Sequence, residues 1–194
     1  MRTDIILSGV GGQGILSIAT IIGAAAIKEG LYIKQAEVHG MSQRGGDVQS
    51  NLRISSSPIS SDLIPLGRAD LIISLEPMEA LRYLPYLAKE GWIITNTVPF
   101  VNIDNYPDKE KLNQALAALP HVIALDVDSM AKSVASPRAA NIVLLGAAAP
   151  FLGIDAEKLE EGIASVFARK GADVVEMNVK AFRAGLEYAK SNLK

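Results

Sequence analysis

Two glycine-rich segments carry most of the groups in this chain that could bind or react with a ligand. The first, Gly9-Val10-Gly11-Gly12-Gln13-Gly14, has the spacing G-x-G-x-x-G; it follows the apolar run Asp4–Ser8 and opens a helix-length segment, Ile15–Lys28, that Gly30 stops. Glycine at such positions permits positive φ and close backbone approach, while free N–H groups and the helix dipole attract a phosphate or another anion. The same glycines would also serve an empty tight turn that brings the helix close to a sheet. Spacing by itself does not separate a dinucleotide from the phosphates of coenzyme A, or either from a loop pressed against a partner protein. Gly9, Gly11, Gly12, Gln13 and Gly14 therefore stand as cofactor-binding candidates.

The second segment, Glu37-Val38-His39-Gly40-Met41-Ser42-Gln43-Arg44-Gly45-Gly46, is denser in reactive groups. Arg44 offers a planar fork of donors to a carboxylate or phosphate, and His39 brings an imidazole, a group able to change charge near neutral pH. Glu37, His39, Ser42, Gln43, Arg44, Gly45 and Gly46 read as a loop facing a substrate or a partner, with Arg44 also a cofactor-binding candidate. Glu37 and Arg44 can equally pair with each other, and Gly45-Gly46 can simply start the next strand. Glu37 stands about where a ribose-binding acid follows a glycine loop, but its continuation into Val38-His39-Gly40-Met41 is no proof of NAD. A third segment, Thr95-Asn96-Thr97-Val98-Pro99, presents hydroxyls and an amide, and Asn96 joins the cofactor-binding candidates. No catalytic residue is assigned. The other histidine, His121, precedes a strand at the far end of the sheet and reads as a surface residue.

The elements that must position these segments alternate. Asp4–Ser8 is an apolar run that reads as a strand, Tyr32–Val38 and Val122–Asp126 read as further strands, Leu71–Leu75 and Trp92–Asn96 as buried strands, and Val48–Ile54 alternates as a half-exposed strand would. Helices are expected over Ile15–Lys28, Pro77 to about Lys89, Asp108–Leu119, Ala139–Leu152 and Ala156–Arg169, the last capped by Asp155, with a final helix capped by Asn178. The first helix is apolar nearly all round, so its outer face is expected to be covered. Asn141, alone among apolar neighbours, points to an interface. The pattern predicts an α/β, single-domain, Rossmann-like three-layer sandwich over residues 1–194, with a mostly parallel sheet. Ligands in such sheets sit beyond the carboxyl ends of the strands.

Composition removes several function classes. The chain has 194 residues and a net charge of −2, which shows no basic surplus for nucleic acid. Cysteine is absent, excluding disulfides, thiolate nucleophiles and cysteine-ligated iron–sulfur or zinc sites; no metal ligand set is assigned. Ile5–Ile27 is uncharged, but its glycine cluster interrupts it as a loop would, so no membrane span is expected. Asp4 spoils a secretory signal, and a cytoplasmic location is expected.

With Ser8–Gly14, Glu37–Gly46, Ala69-Asp70-Leu71 and Leu75-Glu76-Pro77 extended by Glu79-Ala80-Leu81-Arg82, the chain resembles the gamma-type domain of 2-oxoacid:ferredoxin oxidoreductases over nearly its whole length. The wording Glu37-Val38-His39-Gly40-Met41 is similar to the indolepyruvate branch, whereas pyruvate-type relatives tend to carry a tyrosine in this loop. The resemblance implies a subunit that is inactive alone, within a complex that oxidatively decarboxylates aryl 2-oxoacids to acyl-CoA and passes electrons to ferredoxin. It implies that a large partner subunit holds thiamine diphosphate and the iron–sulfur clusters. This chain has neither cysteine nor a Gly-Asp-Gly segment followed by paired asparagines. Coenzyme A is the implied co-substrate, met by the glycine loop and Arg44. Two alternatives stand beside this reading: a free-standing dinucleotide-binding protein, and a subunit of a pyruvate- or ketoisovalerate-type oxidoreductase.

Overall fold

The computed structural model describes residues 1–39 and 45–193. Among these residues six strands, β1 (Arg2–Val10), β2 (Tyr32–His39), β3 (Asp47–Ser55), β4 (Ala69–Ser74), β5 (Leu87–Asn96) and β6 (Val122–Leu125), form one sheet in the order β2-β3-β1-β4-β5-β6. β1, β4, β5 and β6 are mutually parallel, as the apolar strands predict. β3 runs antiparallel to both β1 and β2. Residues 40–46 are too few for a crossover helix, so β2 and β3 pair antiparallel, and β2 then points the same way as β1.

Among the described residues seven α-helices cover the sheet: α1 (Ile15–Lys28), α2 (Pro77–Arg82), α3 (Lys109–Ala117), α4 (Val127–Val134), α5 (Ala140–Ala148), α6 (Ala156–Phe167) and α7 (Ala172–Asn192). On one face Ile5, Leu7, Leu71, Ile73 and Ile94 meet α1 and α5; on the other Ile6, Ile72 and Ile93 meet Ala80 of α2 and Leu116 of α3. These are the three expected layers. A further pair of helices, α6 over α1 and α7 over α5, lies outside the first face. That explains why α1 is apolar nearly all round. The α5–α7 crossing is close because both helices present glycine: a β-carbon on Gly185 would lie 1.9 Å from the Val143 carbonyl oxygen, and one on Gly146 2.0 Å from that of Phe182.

Several sequence expectations change. β3 is buried from Ser50 to Ser55 rather than half-exposed. Its polar face is covered by the segment that follows it, since Arg53 Nη1 donates to the carbonyls of Ser61 and Leu63, both at 2.9 Å, and Asn51 Oδ1 accepts from the N–H of Ile64. The helix from Pro77 stops at Arg82; a 3-10 turn, Leu84–Tyr86, follows, and Leu87 already begins β5. Pro85 cannot supply the N–H that a continuing helix needs. The expected Ala139–Leu152 helix is α5 flanked by the 3-10 turns Pro137–Ala139 and Ala149–Phe151, the second containing Pro150. α7 begins at Ala172, so Asn178 does not cap it; its amide nitrogen instead donates to the Val174 carbonyl at 2.7 Å. α4 is an addition, opened by the Asp126 carboxylate accepting from Ser129 N at 2.8 Å.

Candidate functional site

The glycine loop is braced by its own side chains and by the strand beside it. Gln13 Oε1 accepts from Val10 N at 2.7 Å and Gln13 Nε2 donates to the Leu75 carbonyl at 3.1 Å, tying the loop to the end of β4. Gly9 has room for no side chain, because a β-carbon there would meet Gln13 Oε1 at 2.9 Å and Ile15 Cγ1 at 3.1 Å. Gly12 and Gly14 have φ of 102° and 88°, the left-handed region that favours glycine. Gly11 N donates to the Gly46 carbonyl at 2.9 Å. The N–H groups of Gly12 and Gly14 have no acceptor among the described residues and sit where α1 begins, the arrangement that receives anions.

The second segment joins the first at its glycine end. Gly46 supplies the carbonyl to Gly11, and Gly45, at φ 77°, supplies its own carbonyl to Asn102 Nδ2 at 2.6 Å. Glu37 lies on the edge strand β2 opposite Ser50 and accepts from Gln35 Nε2 at 2.6 Å; His39 is the last residue of β2, opposite Val48. The expectations for Ser42, Gln43 and Arg44 lie outside the described residues.

Asn96, at the carboxyl end of β5, is 3% exposed and engaged at both ends of its amide. Oδ1 accepts from Val98 N and Val127 N, while Nδ2 donates to the Asp128 carboxylate at 3.0 Å. Its work is to hold the starts of α4 and of the 97–106 loop. A cleft of about 560 Å³ lies beside it, lined by Gly12, Gly14, Asn96, Asp128, Arg138 and Lys170 among others. Gly12, Gln13, Gly14 and Asn96 are thus brought to one cavity, as their strand ends predict, while Glu37 stays on the sheet edge.

Sequence reasoning assigned no role to the residues that organise this end of the sheet, although Glu76 stands in the Leu75-Glu76-Pro77 segment that carries the family resemblance. Glu76 is fully buried after β4; its Oε2 accepts from Glu79 N at 2.8 Å, and its Oε1 accepts from Phe100 N and from the Tyr106 hydroxyl. Burial, reinforced by the hydrogen bond the hydroxyl donates to the Glu76 carboxylate, pushes the Tyr106 phenol well above its usual range. Burial likewise pushes Tyr83 to about 12, with the carboxylates of Asp47 and Glu79 adding to the effect. Glu76 had a local signal, since an acid directly before Pro77 is a helix-start pattern. Asn102, Arg138 and Lys170 had none, because each meets its neighbours only through the fold.

At the opposite, amino end of the strands His121 is half-buried, not the surface residue expected; it stacks on Trp92 with ring centroids 5.0 Å apart. Trp92 attracts it because a flat imidazole covers an indole face that would otherwise be wet. Among the described residues no three His, Asp or Glu side chains are grouped to hold a metal, and no helix is long and apolar enough to cross a membrane.

The fold and these contacts define a Rossmann-like domain with amide donors, a cation-bearing cleft and no histidine-based acid–base pair there among the described side chains. Residues 4–188 match the family described as pyruvate ferredoxin/flavodoxin oxidoreductase, and the chain belongs to that family. It is a gamma-type subunit of a 2-oxoacid oxidoreductase. Indolepyruvate oxidoreductase subunit IorB of Pyrococcus horikoshii is 36% identical, covering 98% of this chain and 97% of that one. The gamma subunit of a keto/oxoacid ferredoxin oxidoreductase from Geobacter sulfurreducens superposes with a TM-score of 0.71 at 28% identity, over 97% of this chain and 99% of that one. The fold also recurs in the 2-oxoglutarate:ferredoxin oxidoreductase of Magnetococcus marinus, whose structure holds 2-oxoglutarate, coenzyme A and succinyl-CoA. There the TM-score is 0.77 and the identity 24%, over the whole of this chain and 32% of that one.

Proposed function

We propose that residues 1–194 form the small subunit of an indolepyruvate-type oxidoreductase. The full complex oxidatively decarboxylates aryl 2-oxoacids to acyl-CoA and passes the electrons to ferredoxin, in the cytoplasm. The observation that carries this reading is the 36% identity to an indolepyruvate oxidoreductase subunit over essentially the full length of both chains. Thiamine diphosphate and the iron–sulfur clusters belong to the large partner subunit: a chain without cysteine offers no thiolate for a cluster of the usual kind. This subunit receives coenzyme A at its glycine loop and Arg44. Support for that role is the pair of free N–H groups at Gly12 and Gly14, set at the start of a helix beside the cleft.

The test is co-expression with the thiamine-dependent subunit and assay of ferredoxin-linked, coenzyme A-dependent indolepyruvate oxidation, with and without this chain. Activity that requires both subunits, with indolepyruvate used in preference to pyruvate and ketoisovalerate, is the expected result. Full activity from the large subunit alone overturns it, and a preference for pyruvate moves the assignment to another branch of the family.

A further inference from the structure

We infer that the cleft beside the glycine loop takes the phosphate-bearing end of a nucleotide-type cosubstrate, with Arg138 and Lys170 as its cations. The inference rests on the coenzyme A reading above and assigns its charge partners. Three features of the cleft, its loop donors, its asparagine acceptors and its rim cations, point the same way. Its floor is the Gly12–Gly14 loop, with N–H groups free to donate. Its wall contains Asn141 and Asn178, which are 8% and 3% exposed. Both side-chain nitrogens are committed to backbone carbonyls, of Gly14 at 3.1 Å and of Val174 at 2.7 Å. Each Oδ1 lacks a partner among the described residues yet is not sealed from solvent, so each opens as an acceptor. A buried amide left half-satisfied is a costly arrangement unless a ligand or water completes it.

The rim supplies the charge. Arg138 lies in the 3-10 turn before α5, and Lys170 in the turn between α6 and α7, with its ammonium 5.3 Å from the centroid of Phe167, another lining residue. Neither cation makes an ion pair among the described residues. The opposing carboxylate in the lining, Asp128, is already held by Asn96 Nδ2. The cleft therefore keeps a surplus of one positive charge beside two free amide N–H groups, which suits phosphate oxygens. The Asn141 and Asn178 oxygens suit ribose hydroxyls or amide N–H groups of the same ligand. Coenzyme A and a nicotinamide dinucleotide share this chemistry.

Coenzyme A, NADH and inorganic pyrophosphate, titrated calorimetrically into the full chain and into its complex with the large subunit, distinguish the outcomes. The complex is expected to bind coenzyme A, with pyrophosphate competing. The double variant R138A/K170A weakens both by at least about tenfold, the loss of one charge-assisted hydrogen bond or more. R138K/K170R, which keeps the charges, recovers most of the affinity, and the melting temperature of each variant confirms its fold. NADH bound instead, and weakened by the same substitutions, keeps the cleft assignment and overturns the coenzyme A reading. Coenzyme A bound equally by R138A/K170A and the unmodified protein overturns the cleft assignment and leaves that reading standing. No binding of any of the three overturns both.

Discussion

The Asn141 side chain donates to the Gly14 carbonyl at 3.1 Å, and a β-carbon on Gly14 would lie 2.7 Å from that same nitrogen. The amide that a sequence reading sends to an intermolecular interface is thus used to fasten α5 to the start of α1. Gly14→Ala meets both a left-handed φ of 88° and this contact. The expected loss is about 1–3 kcal/mol, read by chemical denaturation. Gly30→Ala, at φ 69° with nothing near its β-carbon, carries the φ penalty alone and should lose less.

The α5–α7 crossing should tolerate no side chain. At Gly185 the obstacle is the Val143 carbonyl oxygen, and at Gly146 that of Phe182, so backbone must move. Gly185→Ala and Gly146→Ala are each expected to cost about 3 kcal/mol or more, or to abolish soluble folded protein. A melting temperature within a degree of the unmodified chain would refute this account of the crossing.

Two buried carboxylates should respond to pH with opposite signs. At Asp4 burial pushes the carboxyl upward, but bonds and charge from Arg53 and Arg2 outweigh it and hold it below its ordinary value. Its stabilisation is therefore full above about pH 3.8 and is lost as pH falls through the depressed folded value. Asp4→Asn leaves Arg53 buried without its partner 2.8 Å away and is expected to cost about 3–5 kcal/mol at neutral pH. At Glu79 burial dominates over the Arg82 bond, and the carboxyl is raised. Stability should decline as pH rises from 4.5 through that raised value, and Glu79→Gln should flatten this decline. Unfolding curves between pH 3 and 8 check both.

Asn102 reaches Gly45 across 57 positions of sequence, and Gly46 in turn accepts from Gly11. Glu76 holds the same 97–106 loop through Phe100 N and the Tyr106 hydroxyl. Asn102→Ala should therefore speed hydrogen exchange at the Gly11 amide by about tenfold while leaving amides of β1 and β4 unchanged. Equal rates in the two proteins would show that Gly46 is held without the clamp.

Arg44→Ala tests the charge of the second loop in the assembled complex. The KM for coenzyme A should rise by about tenfold or more, with the KM for the oxoacid little changed, because a guanidinium fork recognises phosphate through paired charge-assisted bonds. An unchanged requirement for coenzyme A removes Arg44 from that role.

Local rules carried much of this protein into view from sequence. The run Asp4–Ser8, the glycine spacing at 9–14 and the apolar segments at 71–75 and 92–96 specify strand, turn and strand through near-neighbour sterics and burial. The parallel core of the sheet, β1, β4, β5 and β6, and the placing of Gly12, Gln13, Gly14 and Asn96 at its carboxyl end follow from them. Other features have no near-neighbour signature. The covering of β3 depends on Arg53 meeting Asp4 and two carbonyls of the next loop, and polar residues there read as solvent-facing until those partners are known. Asn178 reads as a cap because its type favours caps, but α7 begins six residues earlier at Ala172 and the Asn178 amide nitrogen is spent on the Val174 carbonyl. Arg138 and Lys170 stand on separate turns, and the clamp from Asn102 joins distant loops. The sequence alone determined which segments become strands and tight turns, because those choices are settled within a few residues. Tertiary structure alone decided which side chains share the cleft, because hydrogen bonds and charges act through space between loops that the sheet brings side by side.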